Sequence, residues 1–194
     1  MVAINLDTTS YTSTSTGTLE IDFSGLTSAT SITNNGGTAN ALTADVASNI
    51  NLGAVPVASL TAPKALTVTL GKTDAAAVTI STASATAVIV GGTTALSGNL
   101  NITATGDVTL SALKTVGGTT IIATAGEVNA PALTTLTGAA TITASAVNAD
   151  ALKTLTGAAI VSKATVLNLP ALTTVSGGLT AANLITLNTP VLAA

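Results

Sequence analysis

PALTTVSG, residues 170–177, is one of four closely similar segments in the second half of the chain. The other three are SALKTVGG at 111–118, PALTTLTG at 131–138 and DALKTLTG at 150–157, so successive copies begin 20, 19 and 20 residues apart. A shorter copy, PVLAA, begins at Pro190. Self-similarity at a fixed spacing of this size is typical of proteins built from stacked structural units. We therefore predict a repeat fold whose units, here called rungs, are about 20 residues long.

Apolar residues recur at the same positions of successive rungs and form the predicted core. Three of these columns are Val88, Val108, Val128, Val147, Leu167 and Leu187; Leu113, Leu133, Leu152, Leu172 and Leu192; and Leu96, Val116, Leu136, Leu155 and Val175. Short alternating stretches between Gly, Pro or paired Thr indicate short β-strands joined by corners. We reject a helical array because Thr, Val and Gly are poor helix formers. The predicted fold class is all-β, a right-handed parallel β-solenoid.

One rung is a residue shorter than its neighbours. The residue is missing between Ile142 and Val147, which are five positions apart where Ile122 and Val128 are six apart. A deletion inside a strand would move every following side chain to the opposite face. We therefore predict that the deletion falls at a corner.

The first part of the chain lacks the clear repeat. Residues 1–45 are predicted to form an N-terminal arm or cap, and residues 46–194 are predicted to form the solenoid domain. Within the arm, residues 19–23 alternate as in a strand. Asn35-Gly36 is a type I′ turn signal, which predicts a β-hairpin there.

Composition excludes several kinds of chemistry. Without His, Cys or Arg, the chain offers no imidazole base, no thiolate, no conventional zinc site and no guanidinium clamp. A net charge of −3 disfavours nucleic acid, and no apolar run reaches the ~18 residues that span a bilayer. We expect no enzyme activity, no catalytic residue, no cofactor and no nucleic-acid partner. Because only 7% of the residues are charged, we expect an extracellular or cell-surface location.

Polar side chains also form columns. Four amides recur at one position of the rung: Asn129, Asn148, Asn168 and Asn188. Stacked Asn side chains can hydrogen-bond along the stacking axis, so we predict a structural ladder. Asp107 and Glu127 occupy equivalent positions of adjacent rungs and are candidate ligands for calcium, although repeat-bound calcium usually requires more carboxylates.

Threonine forms a further column of hydroxyl groups, Thr115, Thr135, Thr154 and Thr174. Flat arrays of threonine in two ranks are used by ice-binding solenoids. The Thr-x-Thr strands of this chain, such as Thr103/Thr105 and Thr141/Thr143, do not recur in every rung. This irregularity argues against ice binding as the leading function, and we keep ice binding as an alternative.

The segment Leu169-Pro170-Ala171-Leu172-Thr173-Thr174-Val175-Ser176-Gly177-Gly178-Leu179-Thr180 resembles the rungs of receptor L domains. It is also similar to fungal and bacterial cell-surface proteins built on a leucine-rich-like β-helix. The resemblance extends over about residues 94–192. It implies a right-handed solenoid with a surface or recognition role, and it supplies no catalytic residues.

The end of the last rung suggests how the chain functions. Leu187, Asn188, Pro190, Val191 and Leu192 continue the repeat without a polar covering segment after them. Solenoid ends without caps are templates for further strand pairing. We expect these residues to form a polymer interface through which the protein assembles head-to-tail with itself, into a filament or surface layer. The alternatives are a monomeric adhesin or carbohydrate-binding segment that contacts a glycan, and an ice-binding protein.

Overall fold

The computed structural model describes residues 10–13, 18–22, 31–34, 38–43, 49–51, 57–61, 67–70, 78–82, 84–92 and 94–190. Within these ranges the chain forms 24 β-strands and no helix. The same ranges therefore contain no apolar helix of membrane-spanning length. The all-β prediction is confirmed.

The strands are short. In chain order they are β1 (Ser10–Ser13), β2 (Thr18–Asp22), β3 (Ser31–Asn34), β4 (Thr38–Thr43), β5 (Asn49–Asn51), β6 (Val57–Thr61), β7 (Thr67–Leu70), β8 (Val78–Ser81), β9 (Ala87–Val90), β10 (Ala95–Leu96), β11 (Leu100–Thr103) and β12 (Asp107–Leu110). They continue with β13 (Thr115–Val116), β14 (Thr120–Ala123), β15 (Glu127–Asn129), β16 (Thr135–Leu136), β17 (Ala140–Thr143), β18 (Ala146–Asn148), β19 (Thr154–Leu155), β20 (Ala159–Ser162), β21 (Val166–Asn168), β22 (Thr174–Val175), β23 (Leu179–Ala181) and β24 (Thr186–Asn188).

These strands form three sheets that run along the molecule. Sheet A has ten strands in the order β1-β3-β5-β7-β9-β12-β15-β18-β21-β24, sheet B has nine in the order β2-β4-β6-β8-β11-β14-β17-β20-β23, and sheet C has five in the order β10-β13-β16-β19-β22. All pairs between the described strands are parallel. From β10 onward each rung contributes one strand to sheet C, one to B and one to A. The fold is a parallel β-solenoid.

The predicted core columns are present. Val88, Val108, Val128, Val147 and Leu167 are direct register partners in sheet A, and all of them are buried. Leu113, Leu133, Leu152 and Leu172 are buried at one corner of the rung. Burial of each Val or Leu side chain stabilises the fold by about 1.5–3 kcal/mol. The core is therefore a set of like residues stacked on like residues.

The short rung confirms the predicted corner deletion. Ile142 remains paired with Ile122 and Val161, and Val147 remains paired with Val128 and Leu167. Only Ala144 and Ser145 separate the two strands, where Thr124, Ala125 and Gly126 do so one rung earlier. The loss of one residue is confined to the corner, so no strand changes its inward face.

The hairpin predicted at Asn35-Gly36 stays a prediction. These two residues lie outside the described ones, but the strands on either side of them belong to different sheets. β3 pairs in parallel with β1 and β5, whereas β4 pairs in parallel with β2 and β6. The backbone groups of β3 and β4 bond to strands of the rungs above and below, so these two strands do not pair with each other. Whether residues 1–45 act as an arm or cap stays a prediction.

The close stacking of the corners can be tested at a column of glycines. A Cβ atom added to Gly138 would overlap the backbone carbonyl of Gly118 in the preceding rung. We therefore expect Gly138→Ala to lower the free energy of unfolding by about 1–3 kcal/mol, the usual cost of overpacking. Thr137→Ala, at the exposed neighbouring position, is the control. Thermal unfolding followed by circular dichroism measures both, and equal melting temperatures would contradict this account of the corner.

Candidate functional site

The four predicted ladder asparagines lie in one column on the outer side of sheet A. Asn129, Asn148, Asn168 and Asn188 are successive register partners. The Asn148 Nδ2 donates to Asn129 Oδ1 at 2.9 Å, and the Asn188 Nδ2 donates to Asn168 Oδ1 at 2.6 Å. In both pairs the later rung donates to the earlier one, so the ladder has a direction.

The ladder is interrupted between its second and third members. The Nδ2 of Asn168 donates to Oδ1 of Asp150 at 2.9 Å, and no bond from Asn168 to Asn148 forms. A carboxylate accepts a hydrogen bond more strongly than a neutral amide oxygen does. Asp150 therefore diverts this amide, and the column consists of two bonded pairs instead of a continuous chain.

The two candidate calcium ligands are engaged in bonds between rungs. Asp107 Oδ1 accepts a hydrogen bond from the backbone N of Glu127 at 2.9 Å, and Glu127 Oε2 lies 3.5 Å from the donating Nδ2 of Asn148. Within the described ranges no group of three or more His, Cys, Asp or Glu side chains is close enough to share a metal ion. Calcium takes six to eight oxygen ligands, so these two carboxylates would need ligands from elsewhere. Their visible role is to join adjacent rungs.

The predicted polymer interface is partly described. In the last rung the side chains of Ile185 and Leu187 are 82% and 51% exposed, and Asn188 and Pro190 are also exposed. Val191 and Leu192 lie outside the described residues. Leu187 is in register with the buried Leu167, so it occupies a core position without a rung above it in the described part of the chain.

The first and last described strands of sheet A share one register. Following the strand partners along the sheet, Tyr11 of β1 lies in the same column as Leu187 of β24, and Thr12 lies in the same column as Asn188. Sheet B likewise begins at β2 and ends at β23. A second copy placed beyond β24 would continue sheet A with its own β1, ten strand spacings along, whereas the nine described strands of sheet B would leave one strand position open between β23 and the next β2. The first and last strands of sheet A are therefore compatible in register.

The threonine column lies along sheet C. Thr115, Thr135, Thr154 and Thr174 are register partners, and the first three are half-buried. Beside them, Thr134 and Thr173 donate their hydroxyl groups to the backbone carbonyls of Lys114 and Lys153, at 3.0 and 3.2 Å. These strands are only two residues long, so sheet C offers a narrow row of hydroxyl groups.

Thr120 is a polar residue of the core that the sequence analysis missed. It is 3% exposed, and its Oγ1 has no hydrogen-bond partner in the described residues. It lies in the column of Leu100 and Ala140 and contacts a cavity of about 40 Å³ that is otherwise lined by apolar side chains. A stable buried water makes about three hydrogen bonds, and the wall of this cavity presents no polar atom to such a water. The alignment of Thr120 with Leu100 and Ala140 was the available signal.

Comparison with known proteins gives no relative for this chain. No protein-family model, no curated protein and no solved structure matches it. The specific resemblance to L domains therefore stays a proposal.

Two substitutions of Asp107 separate its roles. We expect Asp107→Ala to lower the free energy of unfolding by up to about 1 kcal/mol, because the Glu127 N–H loses its acceptor. Asp107→Asn keeps a carbonyl oxygen in that place and should stay close to the wild type. Chemical denaturation with and without added calcium provides the measurement. If calcium stabilises the wild type and both variants lose that effect, the carboxylate charge is a metal ligand.

Proposed function

We propose that this chain is a non-enzymatic structural protein that assembles head-to-tail with itself into an extracellular filament or surface layer. The observation that carries the proposal is the agreement between the two ends. The last strand of sheet A has the same column positions as its first strand, so a second copy can continue this sheet ten strand spacings along. A resemblance to L-domain and cell-surface β-helix rungs agrees with a location outside the cell.

Backbone hydrogen bonding supports the proposal. The outer edge of β24 faces away from β21, which is its neighbour in sheet A. An edge strand presents a row of N–H and C=O groups that can pair with another chain. A contact between different ends of identical copies does not close on itself, and it therefore produces an extended polymer.

The chemistry of the last rung supports it as well. Residues 164–190 contain no charged side chain. A stacked copy would cover the exposed Leu187 and the half-buried Val175 and Leu179 without removing a charge of this rung from water, although β2 of the incoming copy contains Glu20 and Asp22. Burial of apolar surface contributes roughly 25 cal/mol per Å², whereas burial of an unpaired charge would oppose assembly.

Electron microscopy of the purified protein tests assembly directly. Sheet A has ten strands at ~4.8 Å spacing, so each copy should add about 48 Å to a filament. Fibre diffraction should show the ~4.8 Å spacing along the filament axis. Compact monomers at every concentration would contradict the proposal and favour the monomeric adhesin or carbohydrate-binding module.

A charge placed at the end should prevent assembly. We expect Leu187→Asp to keep the protein monomeric, because stacking would bury its carboxylate against an apolar column. Ile89→Asp introduces the same charge at a position of sheet A that is 40% exposed, away from the ends, and is the matched control. Sedimentation velocity distinguishes the two. Filaments of Leu187→Asp equal in length to those of the wild type would rule out this end as the interface.

A further inference from the structure

Sheet B has an outer face that the core columns do not explain. Its strands place two ranks of side chains outward, in register from rung to rung. The first rank is Thr79, Asn101, Ile121, Thr141, Ile160 and Thr180. The second rank is Ser81, Thr103, Ala123, Thr143 and Ser162. We call this surface the B face.

The B face carries no charge over most of its length. Its register columns continue to Ala41 and Ser59 in the first rank and to Thr43 and Thr61 in the second. The first charged position in these columns is Asp22, on the terminal strand β2. The charged residues Asp107, Glu127 and Asp150 lie on sheet A or at the corner that follows it, and the exposed Lys163 lies at the border of the B face, directly after Ser162.

Two isoleucines project from this uncharged face. Ile121 and Ile160 are 43% and 50% exposed, and they lie in the same rank with Thr141 between them. Two strand spacings separate them, which is about 10 Å. In the second rank Thr143 and Ser162 join their hydroxyl groups at 2.9 Å, so these groups have partners that do not depend on solvent.

Each isoleucine stands beside a small residue of the other rank. In β14 the outward pair is Ile121 and Ala123, and in β20 it is Ile160 and Ser162. The rung between them has two residues of equal size, Thr141 and Thr143. In both rungs the isoleucine is a projection, and the small residue beside it, Ala123 or Ser162, is a recess at the same height along the stack.

A second copy fits this pattern under one symmetry operation. A two-fold axis parallel to the stacking direction keeps every rung at its own height and reverses the order of the two ranks. Ile121 of one copy then faces Ala123 of the other, and Ile160 faces Ser162. Facing sheets interdigitate in this way at a separation of about 10 Å.

We propose that copies of this chain pair laterally through their B faces, so that two head-to-tail filaments form one double fibre. This inference rests on the proposed filament and adds the contact that joins two of them. The two-fold axis keeps both filaments pointing in the same direction, as the polarity of their end contacts requires.

The area of the contact explains why pairing depends on assembly. The eight strands from β4 to β23, at ~4.8 Å spacing and with about 13 Å of strand each, cover about 500 Å² of one copy. A pair of copies therefore buries about 1,000 Å², at the lower limit for a specific interface. Each copy added to a filament contributes the same area again, so the total grows with length. Single copies should stay unpaired, and filaments should pair.

Substitutions of Ala123 and Ile121 test whether the two B faces interlock. Ala123→Leu makes the face more apolar but fills the space that receives Ile121, and Ile121→Lys removes the projection and adds a charge. We expect both variants to form filaments with half the width of the wild-type fibre and an unchanged axial repeat. Ile89→Lys, on sheet A, is the control and should keep the full width. Electron microscopy measures width and repeat, and circular dichroism shows that each variant is folded.

Each remaining result decides against the proposal. Wild-type filaments of single width would overturn lateral pairing and leave the filament intact. A full-width fibre of Ala123→Leu would show that another surface pairs the filaments. Absence of any filament would overturn both proposals. If single filaments instead retard ice growth and Ile121→Lys abolishes this, the B face binds ice and does not bind a second copy.

Discussion

Hydrogen bonding between consecutive rungs is the interaction on which the rest of this structure depends. It extends beyond the strands into the corners, where Thr156 N donates to Leu136 O and Ser176 N donates to Leu155 O, each at 2.9 Å. These bonds pair backbone groups of the corners that the strands themselves do not pair. Because each rung satisfies the next, every residue must lie above its equivalent in the rung before. Each side chain in a column must therefore be able to pack against a similar side chain one rung away.

This requirement explains the composition. Rungs about 4.8 Å apart leave room for Ala, Val, Leu, Ile and Thr in columns, and for glycine where corner backbones nearly touch, as at Gly138. Like charges in neighbouring rungs would repel one another. Lys114 and Lys153 share a corner position in which Thr134 lies between them, and the Thr134 hydroxyl donates to the Lys114 carbonyl at 3.0 Å. Stacking therefore limits the number of charges, and Asp107 and Glu127, like charges at equivalent positions of adjacent rungs, are an exception.

The sequence predicted the features that repetition itself determines. The Val108 column, the Leu133 column and the corner deletion before Val147 all follow from the requirement that inward positions align. Where one residue breaks the repeat locally, the prediction was incomplete. Asp150 has no carboxylate equivalent in the next rung, where Pro170 stands, and its competition for Asn168 interrupts the amide ladder.

The strands before residue 45 were harder to predict for a different reason. Their rungs lack the PALTT corner, so no motif marks the period, and Asn35-Gly36 has the local chemistry of a tight turn. These two residues lie outside the described ones, whereas the preceding strand β3 pairs in parallel with both β1 and β5. The sequence did not predict the B face, because the repeat is marked by the inward columns and not by the outward ranks. The outward ranks matter because two residues on the same strand, such as Ile121 and Ala123, differ in size. Comparing one position from rung to rung does not show this difference.

Parallel stacking also restricts the symmetry of any assembly this chain forms. Every described strand pair is parallel, so the two ends of the molecule differ, and stacked copies must all point in one direction. An antiparallel partner on the B face would set the first rank against the first rank, and Ile121 would face residues as large as itself or Thr. A parallel two-fold partner sets large against small and keeps the common direction. The same property that lets one rung template the next therefore selects the one lateral arrangement in which the shapes of the two faces agree.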